Sequence, residues 1–308
     1  MPIRHALAAM GFTLFSSCNS LPDNPIRPVG SIDYQRDGKL IMAQVKVNGR
    51  GPYWFLVDSG ASRSVIDPTL AKELGLKLAS QTSITGTATA KVAAAIAEPV
   101  RITLGGSNYR SEPYIINLSG APMSDEIHGL IGSEPFVSHI VLLDPARQWM
   151  SWYTPDRAPA LGKGATLPLR STGGKLYLAA TIEARRGLAV QRDLRIDTGS
   201  ESSVNDSSAA DAALIASTTL GNGLGAGFEG VSGKYHAIAI GPYRFSGVWG
   251  PGGNPPLIGM ELLQRFVITF DAPRGRIHLA PIGQFDAPVA HPAGIVRENP
   301  GRADPPAA

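Results

Sequence analysis

The chain has 308 residues, 43% of them hydrophobic and 17% charged, which supplies a core for one large domain or two smaller ones and argues against disorder. The net charge is +3, and its lysines and arginines are scattered rather than run together, so no nucleic-acid partner is expected. A single cysteine, Cys18, excludes an intramolecular disulfide and a multi-cysteine zinc site, while 35 glycines and 25 prolines favour short strands and turns over long helices.

In chain order, the first feature is a short basic start, Arg4 and His5, followed by an apolar run over 6–15 and then Ser16, Ser17 and Cys18. The run has signal-peptide length and is too short to anchor across a bilayer, so residues 1–18 are expected to be an export signal, directing the chain to the periplasm or cell envelope. The stretch 14–18 also resembles a bacterial lipoprotein box, with Phe15 where a small aliphatic residue or leucine is usual; Cys18 is then the candidate for lipidation. Lipid anchoring and free secretion both remain open, and a single acyl chain would hold only marginally without a second contact. No later segment approaches about 18 consecutive apolar residues, so membrane contact is expected only through that anchor. Residues 19–29, with three prolines, read as a linker.

From there the chain repeats itself. Asp58-Ser59-Gly60-Ala61-Ser62-Arg63-Ser64-Val65-Ile66-Asp67 recurs 139 residues later as Asp197-Thr198-Gly199-Ser200-Glu201-Ser202-Ser203-Val204-Asn205-Asp206. Gly38-Lys39-Leu40 returns as Gly174-Lys175-Leu176, Leu130-Ile131-Gly132 as Leu257-Ile258-Gly259, and 140–144 as 267–271. The last two share an offset of 127, so the second copy is 12 residues shorter between its motifs, a difference of loop length. Such duplication predicts two homologous lobes, over 30–155 and 165–283, joined by a proline- and glycine-bearing connector at 154–164. The shift to proline, alanine and polar residues over 284–308 predicts a disordered tail.

Within the lobes the pattern is mostly strand: alternation over 40–47, a continuous apolar run over 53–57, and further strands over 100–104, 114–118 and 140–143. The clearest helix spans 68–74, with Asp67 as its cap, Pro68 at its first position and Gly75 ending it. The Ala-rich stretch 207–215 is its counterpart. The fold class is therefore expected to be all-β and pseudo-twofold.

An Asp-Ser/Thr-Gly at the end of a buried strand delivers a carboxylate to a tight loop, and the glycine permits a second loop to approach closely. Two such loops meeting on a twofold axis would bring two carboxylates together, and these would share one proton. The ionised member would activate a water as general base while its partner polarises the carbonyl and protonates the leaving nitrogen. A lone Asp-Thr-Gly is more often only a turn; two copies in matched contexts, each followed by Leu-Ile-Gly, form a far more specific signal.

On these motifs the chain resembles the pepsin and retropepsin clan of aspartic peptidases, in the style of exported bacterial members with lobes similar to retroviral protease subunits. The likeness covers about 38–280. It implies a duplicated acid-protease fold of two β-barrel-like lobes, with each Leu-Ile-Gly packed beneath a catalytic loop. It implies Asp58 and Asp197 as the catalytic pair, Ser59 and Thr198 as hydrogen-bonding across the lobes, and Gly60 and Gly199 as shaping the loops. Gly86, Thr87 and Ala88, in the glycine-bearing segment 84–91, are the candidates for a substrate-covering flap; 221–233 is the second-lobe candidate.

Three features depart from the pattern. Arg195 stands in a strand expected to be buried and requires a partner or solvent. Ala61 and Ser200 differ after the glycine, and a hydroxyl at Ser200 bonded to its carboxylate predicts a mildly acid optimum. Neither flap candidate supplies an obvious flap tyrosine. Gly225-Ala226-Gly227-Phe228-Glu229-Gly230 fits a dinucleotide spacing but lacks the strand-to-helix context, the six histidines form no metal spacing, and no nucleophile elbow is present. His128, just before Leu130, is read as structural rather than part of the site.

No cofactor and no metal is expected. The leading expectation is an endopeptidase that is active as a monomer and binds a polypeptide extended between its lobes. The alternative is a catalytically inactive peptide-binding protein of the same fold in the cell envelope.

Overall fold

The computed structural model describes residues 26–85, 91–119, 126–220, 228–283, 285–289 and 296–299. The signal, Cys18 and the flap candidates Gly86, Thr87 and Ala88 lie outside them. Among the described residues the architecture is all-β, built from three sheets. One belongs to the first half of the chain, one to the second, and the third takes strands from both.

The two half-specific sheets share a central plan. In the first, Ile127–Ile131 inserts between Arg50–Val57, which it meets in parallel, and Val65–Ile66, which it meets antiparallel. In the second, Leu257–Ile258 lies parallel to Leu188–Ile196 and antiparallel to Val204–Asn205. Each Leu-Ile-Gly strand is thus clamped between the two arms of an Asp-containing loop, the psi arrangement that the resemblance implies.

The strands alternate as the pleat requires. Ile41, Ala43, Phe55 and Val57 in one half, and Leu176, Leu178, Leu194 and Ile196 in the other, point into one continuous core spanning both halves. In the first half the opposite face is apolar as well: Leu40, Met42, Leu56 and Leu130 form a second cluster. Against it pack Ile84, Val92 and Ala94 from the hairpin of Leu78–Thr85 and Lys91–Ala97.

The shared sheet runs Gly30–Asp33, Trp149–Tyr153, Ile140–Asp144, Phe266–Asp271, Arg276–Pro281, Ala165–Pro168. At its middle Leu142 faces Thr269. These two are repeat equivalents, so the internal twofold axis passes between them.

The helix Pro68–Leu74 forms as expected: the Asp67 side chain accepts from Thr69 N, and Gly75 ends the helix in the left-handed region at φ 66°. Two expectations are corrected. The counterpart at 207–215 is a 3-10 turn over Ser207–Asp211, capped by Asp206, and Leu214–Leu220 is already a strand. A stretch so short, running into a β-branched segment, has too few turns to sustain an α-helix. The tail is also not simply disordered, because Val296–Glu298 pairs antiparallel with Leu214–Leu220. Its anchors are Asn299 Nδ2, which donates to Ala210 O at 2.7 Å and Ala212 O at 2.9 Å, and Phe285, whose ring packs 5.2 Å from Phe245 and 5.5 Å from Phe266.

Candidate active site

Each candidate aspartate stands at the end of a core strand and is held by the Leu-Ile-Gly strand beside it. Asp58 N donates to Ile131 O at 2.8 Å and Asp197 N to Ile258 O at 3.0 Å. The loops then turn back on their own carboxylates. Gly60 N donates to Asp58 Oδ1 at 2.8 Å, as does Ala61 N at 3.1 Å, while Gly199 N donates to Asp197 Oδ1 at 3.1 Å.

The loops interlock through their hydroxyls. Ser59 Oγ donates to Ile196 O at 2.9 Å, and Thr198 Oγ1 donates to Val57 O at 2.8 Å. In return Thr198 N donates to Ser59 Oγ at 3.1 Å and Ser59 N to Thr198 Oγ1 at 2.9 Å. Both hydroxyl residues are fully buried. Each half therefore satisfies the backbone of the other, and loss of either hydroxyl would leave buried polar groups without partners.

The glycines explain how the carboxylates come together. A β-carbon on Gly60 would stand 2.6 Å from Asp197 Oδ1, and one on Gly199 would stand 2.5 Å from Asp58 Cγ. Each aspartate thus lies against the glycine of the other loop, in space that no side chain could share. Burial, and then the nearby Asp197 carboxylate, push the Asp58 carboxyl up to about 7, against the smaller downward pull of Arg195 and the Gly60 amide.

Arg195 finds its partner inside the site: its Nη2 donates to Asp197 Oδ2 at 2.8 Å, and its side chain is only 16% exposed. A charge that looked misplaced in a buried strand is paired with the neighbouring carboxylate. The expectation for Ser200 is corrected, since its hydroxyl bonds Ser202 Oγ at 2.8 Å instead of Asp197. His128 lies against Tyr53 with ring centroids 5.6 Å apart and the rings tilted by 51°, and its Nδ1 is buried without a hydrogen-bond partner among the described residues. Among the described residues, no group of three His, Cys, Asp or Glu side chains gathers to hold a metal.

Sequence reasoning missed a set of contacts by which each half's glycine turn touches the other half's loop. Lys39 N donates to Glu201 Oε1 at 2.7 Å, and Lys39 Nζ pairs with Glu261 Oε2 at 3.2 Å. At the equivalent place, Ser133 Oγ donates to Gly174 O. The signal was the repeated Gly-Lys-Leu, which marked a duplicated turn without showing what it met.

Residues 43–134, a span holding the first aspartate and the first Leu-Ile-Gly, match a family model described as aspartyl protease. In structure the chain is similar to basic 7S globulin from soybean, with a TM-score of 0.50 and 12% identity, over 82% of this chain and 94% of that one. The fold is the two-lobed pepsin-like one, and residues 43–134 are similar to the aspartyl proteases. No curated protein matches the chain in sequence. The family match stops within the first half, yet the second half repeats the same loop, the same clamped strand and the same interlock.

Proposed function

We propose that this pepsin-like chain is an aspartic endopeptidase in which Asp58 and Asp197 activate water against a peptide bond. The observation that supports this best is reciprocity: each carboxylate is seated against the other loop's glycine, and the loops are pinned by Ser59 and Thr198. The proton shared by the pair belongs on Asp58, since Asp197 carries the ion pair with Arg195. In this reading Asp197 takes a proton from water, whose oxygen adds to the substrate carbonyl. Asp58 hydrogen-bonds the carbonyl oxygen and then gives its proton to the leaving nitrogen as the carbon–nitrogen bond breaks, and the proton that Asp197 took from water becomes the one the pair shares. No covalent intermediate with the protein forms.

The substrate would lie extended along the loops, with the hairpin of Leu78–Thr85 and Lys91–Ala97 as the flap. Both halves of the site come from one chain, which supports activity as a monomer. The basic start and apolar run at the amino terminus support export to the periplasm or cell envelope, with Cys18 as the lipidation candidate.

One observation favours the second reading, a peptide-binding protein without turnover: an oxygen of Asp197 is already engaged by Arg195. The neighbour in structure is likewise named as a globulin and not as a peptidase. The test is cleavage of a diverse peptide mixture by the full chain from pH 3 to 8, beside Asp58→Asn and Asp197→Asn. Cleavage abolished in both variants supports the dyad. Cleavage surviving in either would refute it, and binding without cleavage by the wild type would favour the second reading.

A further inference from the structure

The two halves of the site differ in chemistry where their backbones agree. In the first half Met42 pairs across the strands with Leu56, two residues before Asp58. In the second half Tyr177 pairs with Arg195, two residues before Asp197. Two residues back, at the starts of the partner strands, stand Leu40 and Lys175. The Gly-Lys-Leu repeat matches Lys175 with Lys39, but the strand registers move that match by one residue, so positions held by Leu40, Met42 and Leu56 on one side of the site are held by Lys175, Tyr177 and Arg195 on the other. All of them stand on the strand faces turned away from the main core, because Leu176, Leu178, Leu194 and Ile196 occupy the core side.

The apolar set is satisfied within its own half, buried with the hairpin residues Ile84, Val92 and Ala94. In the other half Tyr177 lies under the Arg170 guanidinium, 4.7 Å from its ring centroid, but the two cations are not satisfied. Arg195 Nη2 is committed to Asp197, while Arg195 Nε is buried without a hydrogen-bond partner. Lys175 is half-buried, burial and then Arg195 lower its pKa against the opposing pull of Asp197 and Asp58, and its ammonium makes no hydrogen bond or ion pair among the described residues. With one proton on the aspartate pair, two cations face a single negative charge. A half-buried ammonium beside a guanidinium favours an incoming anion and disfavours an incoming cation.

We propose that Lys175, with Arg195 behind it, forms a carboxylate subsite on the second-half side of the aspartate pair, so that the preferred peptide sets an apolar side chain against the first half and a carboxylate against the second. The carboxylate would be an acidic side chain or the peptide's own C-terminus. The inference rests on the proposed function for where the peptide lies, but not on turnover.

The test uses Asp58→Asn in the full chain, so that binding is read without cleavage. Fluorescent amidated decapeptides carry leucine next to glutamate, glutamine or lysine, in both orders, with a free-carboxylate version of the glutamine peptide ending at that position. The glutamate peptide in one order is expected to bind roughly tenfold tighter than its glutamine counterpart and tighter still than the lysine one. Lys175→Met, added to the same background, should erase the preference, while Lys175→Arg should keep it. A gain on freeing the terminus would identify the terminal carboxylate as the ligand, and a gain only with glutamate the side chain. Equal affinities for the glutamate, glutamine and free-carboxylate peptides, or a preference unchanged in the Lys175→Met protein, would overturn the subsite. Parallel digestion by the wild type separates the failures: absence of cleavage bears on the proposed function, whereas cleavage without acidic preference counts against the subsite alone.

Discussion

Replacing Asp58 by asparagine should alter how stability depends on pH, whether or not the protein turns over a substrate. An ordinary aspartate titrates near 3.8, and Asp58 is raised to about 7 by burial and by Asp197. A group raised on folding contributes stability that is fully present below its unfolded pKa and lost as pH rises through its folded pKa. Between those values the folded pair holds one proton more than the unfolded chain, so stability falls with rising pH. At 1.36 kcal/mol per pH unit the interval from 3.8 to about 7 corresponds to about 4 kcal/mol. For a chain of this size that is on the order of 10 °C in melting temperature. An asparagine cannot ionise, so the Asp58→Asn protein should lack this component, and its advantage over the wild type should grow from pH 4 to pH 8. Melting curves of both proteins at half-unit intervals measure the effect, and other titrating groups cancel in the difference. Two pH curves that remain parallel would refute the assignment of the shared proton to Asp58.

Gly60→Ala should push Asp197 aside by about 1 Å, since a β-carbon there would stand 2.6 Å from Asp197 Oδ1 against about 3.5 Å for an ordinary contact. A displacement of that size should lower kcat/KM on the order of 100-fold, measured on whichever peptide the wild type cleaves. Thr198→Val keeps the shape but leaves Ser59 N and Val57 O unpaired; it should destabilise the protein by about 1–3 kcal/mol in urea titration. Arg195→Leu restores the apolar residue found at Leu56. Removing a cation that holds Asp58 down should move the basic limb of the pH–rate profile upward, with partial restoration by Arg195→Lys.

Much of this site could be read from local signals. The helix Pro68–Leu74 and its cap follow from a few adjacent residues, and the paired Asp-Ser/Thr-Gly loops followed from repetition within one chain. What escaped was set by the course the folded backbone takes, whether two residues on or a hundred. Arg195 reads as a burial anomaly until the loop after it folds Asp197 back onto its guanidinium. Ser200 stands next to the Asp-Thr-Gly in sequence, yet its hydroxyl bonds that of Ser202. Val296–Glu298 gives no strand signal of its own, because it borrows its order from the free edge of Leu214–Leu220.

The sheet at whose centre Leu142 faces Thr269 has a consequence for how the molecule can be used. A site assembled from two separate copies would come apart on dilution, and its working concentration would be set by an association constant. Here the two copies are spliced into one hydrogen-bonded floor and tethered by the chain, so neither half can be diluted away from the other. However dilute the protein, Asp58 and Asp197 would stay against each other's loops for as long as the chain is folded.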